Sequence, residues 1–162
     1  MGTTERRIAW AALSGPVLIA AADQASKAII VRTITAPLTV LRGSVGYVEL
    51  DLAHNTGGAF SLFAAHGTIL AVVTGLVVLA LLGLLASGRA HDPLARVGLT
   101  MIAGGALGNL IDRVRLGYVV DFIEVGASPT LRWPTFNVAD ASIVVGTALV
   151  VFYLLRSEVR SS

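Results

Sequence analysis

No cysteine occurs among the 162 residues, which removes a disulfide framework, a thiol nucleophile and any zinc site built on thiolates. Histidine is nearly as scarce: His54, His66 and His91 lack metal-ligand spacing, and no serine sits in a recognisable nucleophile elbow beside a base. Charge is thin as well. Charged residues make up 14% of the chain against 55% hydrophobic, and the mean hydropathy of +0.79 exceeds what a water-soluble domain of this size usually carries. The net charge of +2 is no nucleic-acid footprint, because topology accounts for the basic residues. No repeat, low-complexity tract or linker divides the sequence, so residues 1–162 read as a single membrane-embedded domain.

What is present is apolar length. Residues His66 to Ser87 contain no Asp, Glu, Lys or Arg and are long enough to cross a hydrocarbon core of roughly 30 Å as a helix. Three further spans are expected at Ile8 to about Val31, about Leu94 to Ile111, and Asn137 to Leu155, each interrupted by polar residues: Asp23 with Lys27, Asn109, and Asp140. "ERR" before the first run and "AAAD" near its end resemble a cleaved signal peptide, yet "AIIV" resumes after Lys27, which fits a retained helix with a polar notch. The fold class is therefore mainly α: a polytopic membrane protein of four transmembrane helices with a small outer β-sheet.

Arg6, Arg7, Arg89, Arg96, Arg156 and Arg160 lie in very short segments beside span ends, where the positive-inside rule has most force. Both termini are then expected in the cytoplasm. Seven acids fall at or beyond the outer face, Asp23, Glu49, Asp51, Asp112, Asp121, Glu124 and Asp140, and three inside, so any chemistry belongs outside.

The first outer loop, about Arg32 to Ala65, alternates Val48, Leu50 and Leu52 with Glu49, Asp51 and Ala53 as in a half-buried strand, before Gly57 and Gly58 break the pattern. The second, about Asp112 to Phe136, carries "VVDFIEV" and then irregular chain marked by Gly126, Pro129 and Pro134. Trp133 and Phe136 suit an interfacial aromatic belt.

The polar residues in the spans have structural and functional readings side by side. Asp23 and Lys27, four apart, can pair on one helix face. Gly104 and Gly108 form a small-xxx-small pair for close helix approach. Asn109 and Arg113 share a face where the third span leaves the membrane, although Arg113 could simply snorkel. Asn137 can cap the last helix, with Asp140 near the positive end of its dipole. Asp23, Asn55, Asn109, Asp121 and Asp140 are nevertheless expected at one depth, and ionisable groups at a membrane are functional candidates.

Two acids brought together cannot both ionise; one keeps a proton while the other activates water, as in aspartic proteases and without a cofactor. Spacing alone leaves the pairing open, since Asp121 and Asp140 are nineteen residues apart. A small transporter or proton channel is the rival reading, but it requires polar groups throughout the membrane's depth, and the second span has none. A non-catalytic scaffold explains the glycines and not the acids.

"DQASK", "NTGGAFS", "GGALGNLIDRVRLGYVVDFIEV" and "FNVADAS" occur in the order and spacing of a known family. The chain resembles the lipoprotein signal peptidases, or signal peptidase II, the inner-membrane aspartic proteases of bacteria. The resemblance implies a catalytic dyad of Asp121 and Asp140, with Asp23, Lys27, Asn55, Gly57, Ala59, Asn109, Asp112, Arg113, Asn137 and Ala139 lining or bracing the site and no metal; Gly58 stands where alanine is more usual. It also implies a substrate: a prolipoprotein already carrying diacylglycerol on the cysteine at the cleavage point, cut just before that cysteine, with the acyl chains reached from membrane lipid. A globomycin-type cyclic peptide would inhibit at the same site. The family fold has four transmembrane helices, an outer sheet and a mobile outer helix, whose mobile portion is expected to end near "TLRWP".

Overall fold

The computed structural model describes residues 3–56, 67–128 and 130–161, with side chains from residue 13 of the first segment, 68 of the second and up to 159 of the third. Gly57, Gly58, Ala59 and His66 lie outside the described residues. The element order is α1 (Thr3–Thr33), β1 (Leu38–Gly43), β2 (Gly46–Asn55), α2 (Gly67–Ala86), α3 (Pro93–Leu116), β3 (Val119–Ser128), β4 (Leu131–Arg132) and α4 (Val138–Ser161).

Local chemistry sets several of these boundaries. Asp92 starts α3: its Oδ1 accepts from the N–H groups of Leu94 at 2.8 Å and Ala95 at 3.1 Å, and Pro93 follows at the first helical position, where a missing N–H costs nothing. Gly117 stops α3 with φ 81°, a left-handed conformation that favours glycine, and its N–H returns to the carbonyl of Arg113. The expected exit near Ile111 is corrected by this: nothing breaks the helix before Gly117, so Asp112 and Arg113 belong to its last turns and not to an outer loop.

Among the described residues, three helices are long and apolar enough to cross a membrane, over Thr68–Ala86, Pro93–Leu116 and Val138–Val159. α1 is a continuous helix of 31 residues with Pro16 inside it. α3 is the central element, packing against α1, α2 and α4. Its glycines permit close approach: Gly104 lies against Pro16 and Ile19 of α1, Gly98 against Gly146 of α4, and Gly105 against Ala139. The buried apolar core is small, centred on Leu85 and Ala103, while Val17, Leu18, Leu76, Leu79 and Val144 stay exposed on the helices. Lipid is as apolar as leucine, so such helices associate through packing and buried polar contacts more than through hydrophobic burial.

The four strands form one antiparallel sheet in the order β1-β2-β3-β4. β2 spans the alternating stretch expected to be a strand, but almost all its residues are half-buried and no clean two-sided pattern appears. The chain after Gly126 is more regular than its glycine and prolines suggest. Gly126 pairs with Arg132 and Ser128 with Leu131, Trp133 donates its N–H to the Val125 carbonyl, and Phe136 bridges to Ile123. Residues 131–136 therefore run back along β3, and within "TLRWP" Thr130 is in the turn while Leu131 and Arg132 are strand. Among the described residues no short outer helix accompanies the sheet.

Candidate active site

β3 delivers Asp121 to the end of the helix bundle, buried with Val119, Val120 and Phe122 around it. The register places Ala53 of β2 opposite Asp121, and Asn55 opposite Val119. Asn55 donates its side-chain amide to Asp121 Oδ2 at 2.9 Å.

α4 delivers Asp140. Asn137 caps that helix reciprocally: its Oδ1 accepts from the Asp140 N–H at 2.9 Å, and its own N–H faces Asp140 Oδ2 at 3.3 Å. Its side-chain Nδ2 donates to Asp121 Oδ1 at 2.7 Å, to the Val120 carbonyl at 3.2 Å and to Asn109 Oδ1 at 3.1 Å. One fully buried residue thus bonds both carboxylates, Asp121 through its side-chain amide and Asp140 through its backbone N–H. Asn109 of α3 completes the bridge by donating to Asp140 Oδ1 at 2.7 Å.

Beneath lies a buried ion cluster. Lys27 Nζ is 2.8 Å from Asp23 Oδ2, 2.8 Å from Asp112 Oδ2 and 3.0 Å from Asn109 Oδ1. Asp23 Oδ1 accepts from the Ala139 N–H at 3.0 Å, and Asp112 Oδ2 accepts from the Val120 N–H at 3.1 Å. These two acids fasten the residues immediately before Asp140 and Asp121. Ala139 has no exposed surface, and its carbonyl packs onto Gly105, where any side chain would collide. No buried side-chain nitrogen or oxygen among the described residues lacks a partner.

Burial, reinforced by the nearby Asp140 charge and opposed by the Asn55 and Asn137 amides and Lys27, pushes Asp121 up to about 6 from a usual 3.8. Asp140 is half-buried at the first turn of α4, where the helix dipole favours negative charge. The site therefore sets a buried carboxyl inclined to hold its proton beside a half-buried one at the start of a helix. A cleft of about 310 Å³ lined by Trp133, Phe136, Ala141, Val144 and Val145 opens onto Asp140. Among the described residues no group of three or more His, Asp or Glu is placed to hold a metal ion.

Of the residues expected at the site, Asp23, Lys27, Asn55, Asn109, Asp112, Asp121, Asn137, Ala139 and Asp140 come together; Gly57 and Ala59 lie outside the described residues. Among the described residues Arg113's side chain reaches the backbone carbonyl of Asn109, at 3.4 Å from its Nη1, and none of the site's side chains. Gln24, unmarked as a candidate in the sequence, is part of the cluster: its Nε2 donates to Asp112 Oδ1 at 2.7 Å and to the Gly108 carbonyl at 3.2 Å, and Arg115 donates to its Oε1. Its position three residues before Lys27 on the same helix was the available signal. Glu124, an apparent bystander, is buried in the outer sheet against Arg132 at 2.6 Å and the Tyr47 hydroxyl at 2.8 Å.

A helical membrane bundle with a small sheet clasping buried acids at one end defines the class: the fold is that of solved bacterial membrane enzymes. One, determined in meso at 2.3 Å, superposes with a TM-score of 0.78 at 26% identity, covering 94% of this chain and 92% of its own; a second, at 1.9 Å, gives 0.74 at 27% identity over 90% and 92%. The sequence model of the family described as signal peptidase (SPase) II matches residues 16–156, and the chain belongs to that family of membrane proteases. The lipoprotein signal peptidase of Moorella thermoacetica is 40% identical over 139 residues, 86% of this chain and 89% of its own length, and that of Desulforapulum autotrophicum 38% over 153 residues, 88% and 90%.

Proposed function

We propose that the protein is an aspartic endopeptidase that removes the signal peptide from diacylglyceryl-modified prolipoproteins, cutting before the lipidated cysteine, with Asp121 and Asp140 as the catalytic dyad. The observation that carries this reading is the single Asn137 side chain bonded to Asp121 and capping the helix at Asp140, which holds two carboxyls of different environment at one mouth. Asp121 keeps the shared proton and polarises the scissile carbonyl; Asp140 takes a proton from the attacking water; the proton then passes to the departing amine.

Asn55 donates to Asp121 and, with Arg113, is assigned to holding substrate backbone. Asp23, Lys27, Asp112, Asn109 and Ala139 brace the two acids; Arg113, Gly57 and Ala59 are assigned to substrate support by position in the family's motifs. α1 serves as a fourth transmembrane helix, so the chain is one domain of four spans in the bacterial inner membrane, with both termini cytoplasmic and the site toward the outer face. Membrane lipid gives the acyl chains a direct route to the cleft beside Asp140.

Purified enzyme mixed with a diacylated prolipoprotein, with and without globomycin, tests the reading. Cleavage at the lipidated cysteine that globomycin blocks is the expected result, and cleavage of an unlipidated precursor at equal rate would contradict it.

A further inference from the structure

At the far end of α3 from the carboxylates, a groove of about 450 Å³ runs between α1 and α3. Gly15 and Thr100 line it where α1 and α3 pack tightly: a β-carbon on Gly15 would stand 2.5 Å from Thr100 Cγ2. Ile19, Val97 and Met101 give apolar walls, and Arg96 stands at the head. Arg96 and Asn109 are thirteen residues apart, about 20 Å along a helix, so groove and acid cluster face opposite leaflets.

Arg96 is partly buried, at the fourth residue of a helix long and apolar enough to span a membrane, and its guanidinium has no ion pair among the described residues. The nearest acid in sequence, Asp92, turns its Oδ1 to the N–H groups of Leu94 and Ala95. A partly buried cation at headgroup depth above an apolar trench is complementary to a phosphate with an acyl chain attached, as in basic pockets between membrane helices.

We propose that this groove binds an anionic phospholipid, its phosphate on the Arg96 guanidinium and one acyl chain along Ile19, Val97 and Met101. The proposal rests on the chain's place in the membrane and is independent of the roles of Asp121 and Asp140. Because α1 carries Asp23 and Lys27 to the other end of the same helix pair, a lipid filling the groove would fasten α1 to α3 from the opposite leaflet.

Native mass spectrometry of the full chain, released from micelles doped with equal amounts of phosphatidylglycerol and phosphatidylcholine, tests it. The wild-type chain should retain phosphatidylglycerol several-fold more often, added salt should erode that preference, and Arg96→Gln should lose it while Arg89→Gln keeps it. A melting curve in the same micelles establishes that Arg96→Gln is folded; should it not be, Arg96→Lys, which keeps the charge, must retain the preference. Equal retention of the two lipids by the wild type, a preference indifferent to salt, or one unchanged in folded Arg96→Gln overturns the proposal.

Discussion

Asn137 donates its side-chain amide to Asp121 at 2.7 Å while its Oδ1 receives the Asp140 N–H at 2.9 Å, so one residue sets both the start of α4 and the placement of the two acids. Asn137→Ala removes a helix cap and leaves a buried carboxyl short of a donor, each worth roughly 1–2 kcal/mol. Melting in detergent should show that loss, and turnover should fall by more than the lost stability explains, because the acids are no longer held together.

Asp121→Asn and Asp140→Asn each delete one half of the proposed dyad without changing shape. Cleavage should drop by at least about 10³-fold, in the range of removing a positioned acid or base. Circular dichroism and melting should remain those of a folded protein. Appreciable turnover by either purified variant would refute the dyad.

The elevated Asp121 value gives a pH dependence whose sign is fixed. Between the usual 3.8 and about 6 the folded protein binds the Asp121 proton more tightly than the unfolded chain, so this residue's contribution to stability is largest at acid pH and is lost as pH rises through that window. The loss is up to about 1.4 kcal/mol per pH unit, and Asp121→Asn should flatten the stability profile there. In the wild type, kcat/KM should decline on the alkaline side with an apparent value near 6.

Among the described residues Lys27 is the one cation in contact with Asp23 and Asp112, both buried. Lys27→Met strands those charges and should destabilise by about 3–5 kcal/mol. Adding Asp23→Asn to that variant should restore part of the loss, which a double-mutant cycle by thermal melting would measure.

Gly108 faces Asp23 so closely that a β-carbon would lie 2.6 Å from Asp23 Oδ2. Gly108→Ala should push α1 away from α3 and cost about 1–3 kcal/mol, with a matching loss of cleavage. An equivalent change at Gly83, where a β-carbon meets nothing within 4 Å, should leave melting and turnover near wild type.

The sequence by itself determined the membrane-spanning character of α2, α3 and α4, because an uncharged or nearly uncharged apolar run states its solvent without reference to the rest of the chain. It also determined the Asp23–Lys27 pair and the cap at Asn137, since these depend on spacing within one helix or at its end. The tertiary structure alone decided the rest. Nothing in spacing says that Asp112 would leave the expected outer loop for the last turns of α3 and grip Lys27, or that Asn109 would turn from Arg113 toward Asp140. Glu124 was unreadable for the same reason, its partners lying on neighbouring strands, and Gln24's place beside Lys27 on α1 signalled a shared helix face without naming its partner Asp112, 88 residues away. A buried polar group must find a partner, but which one it finds depends on which elements the fold brings alongside, and local sequence does not carry that information.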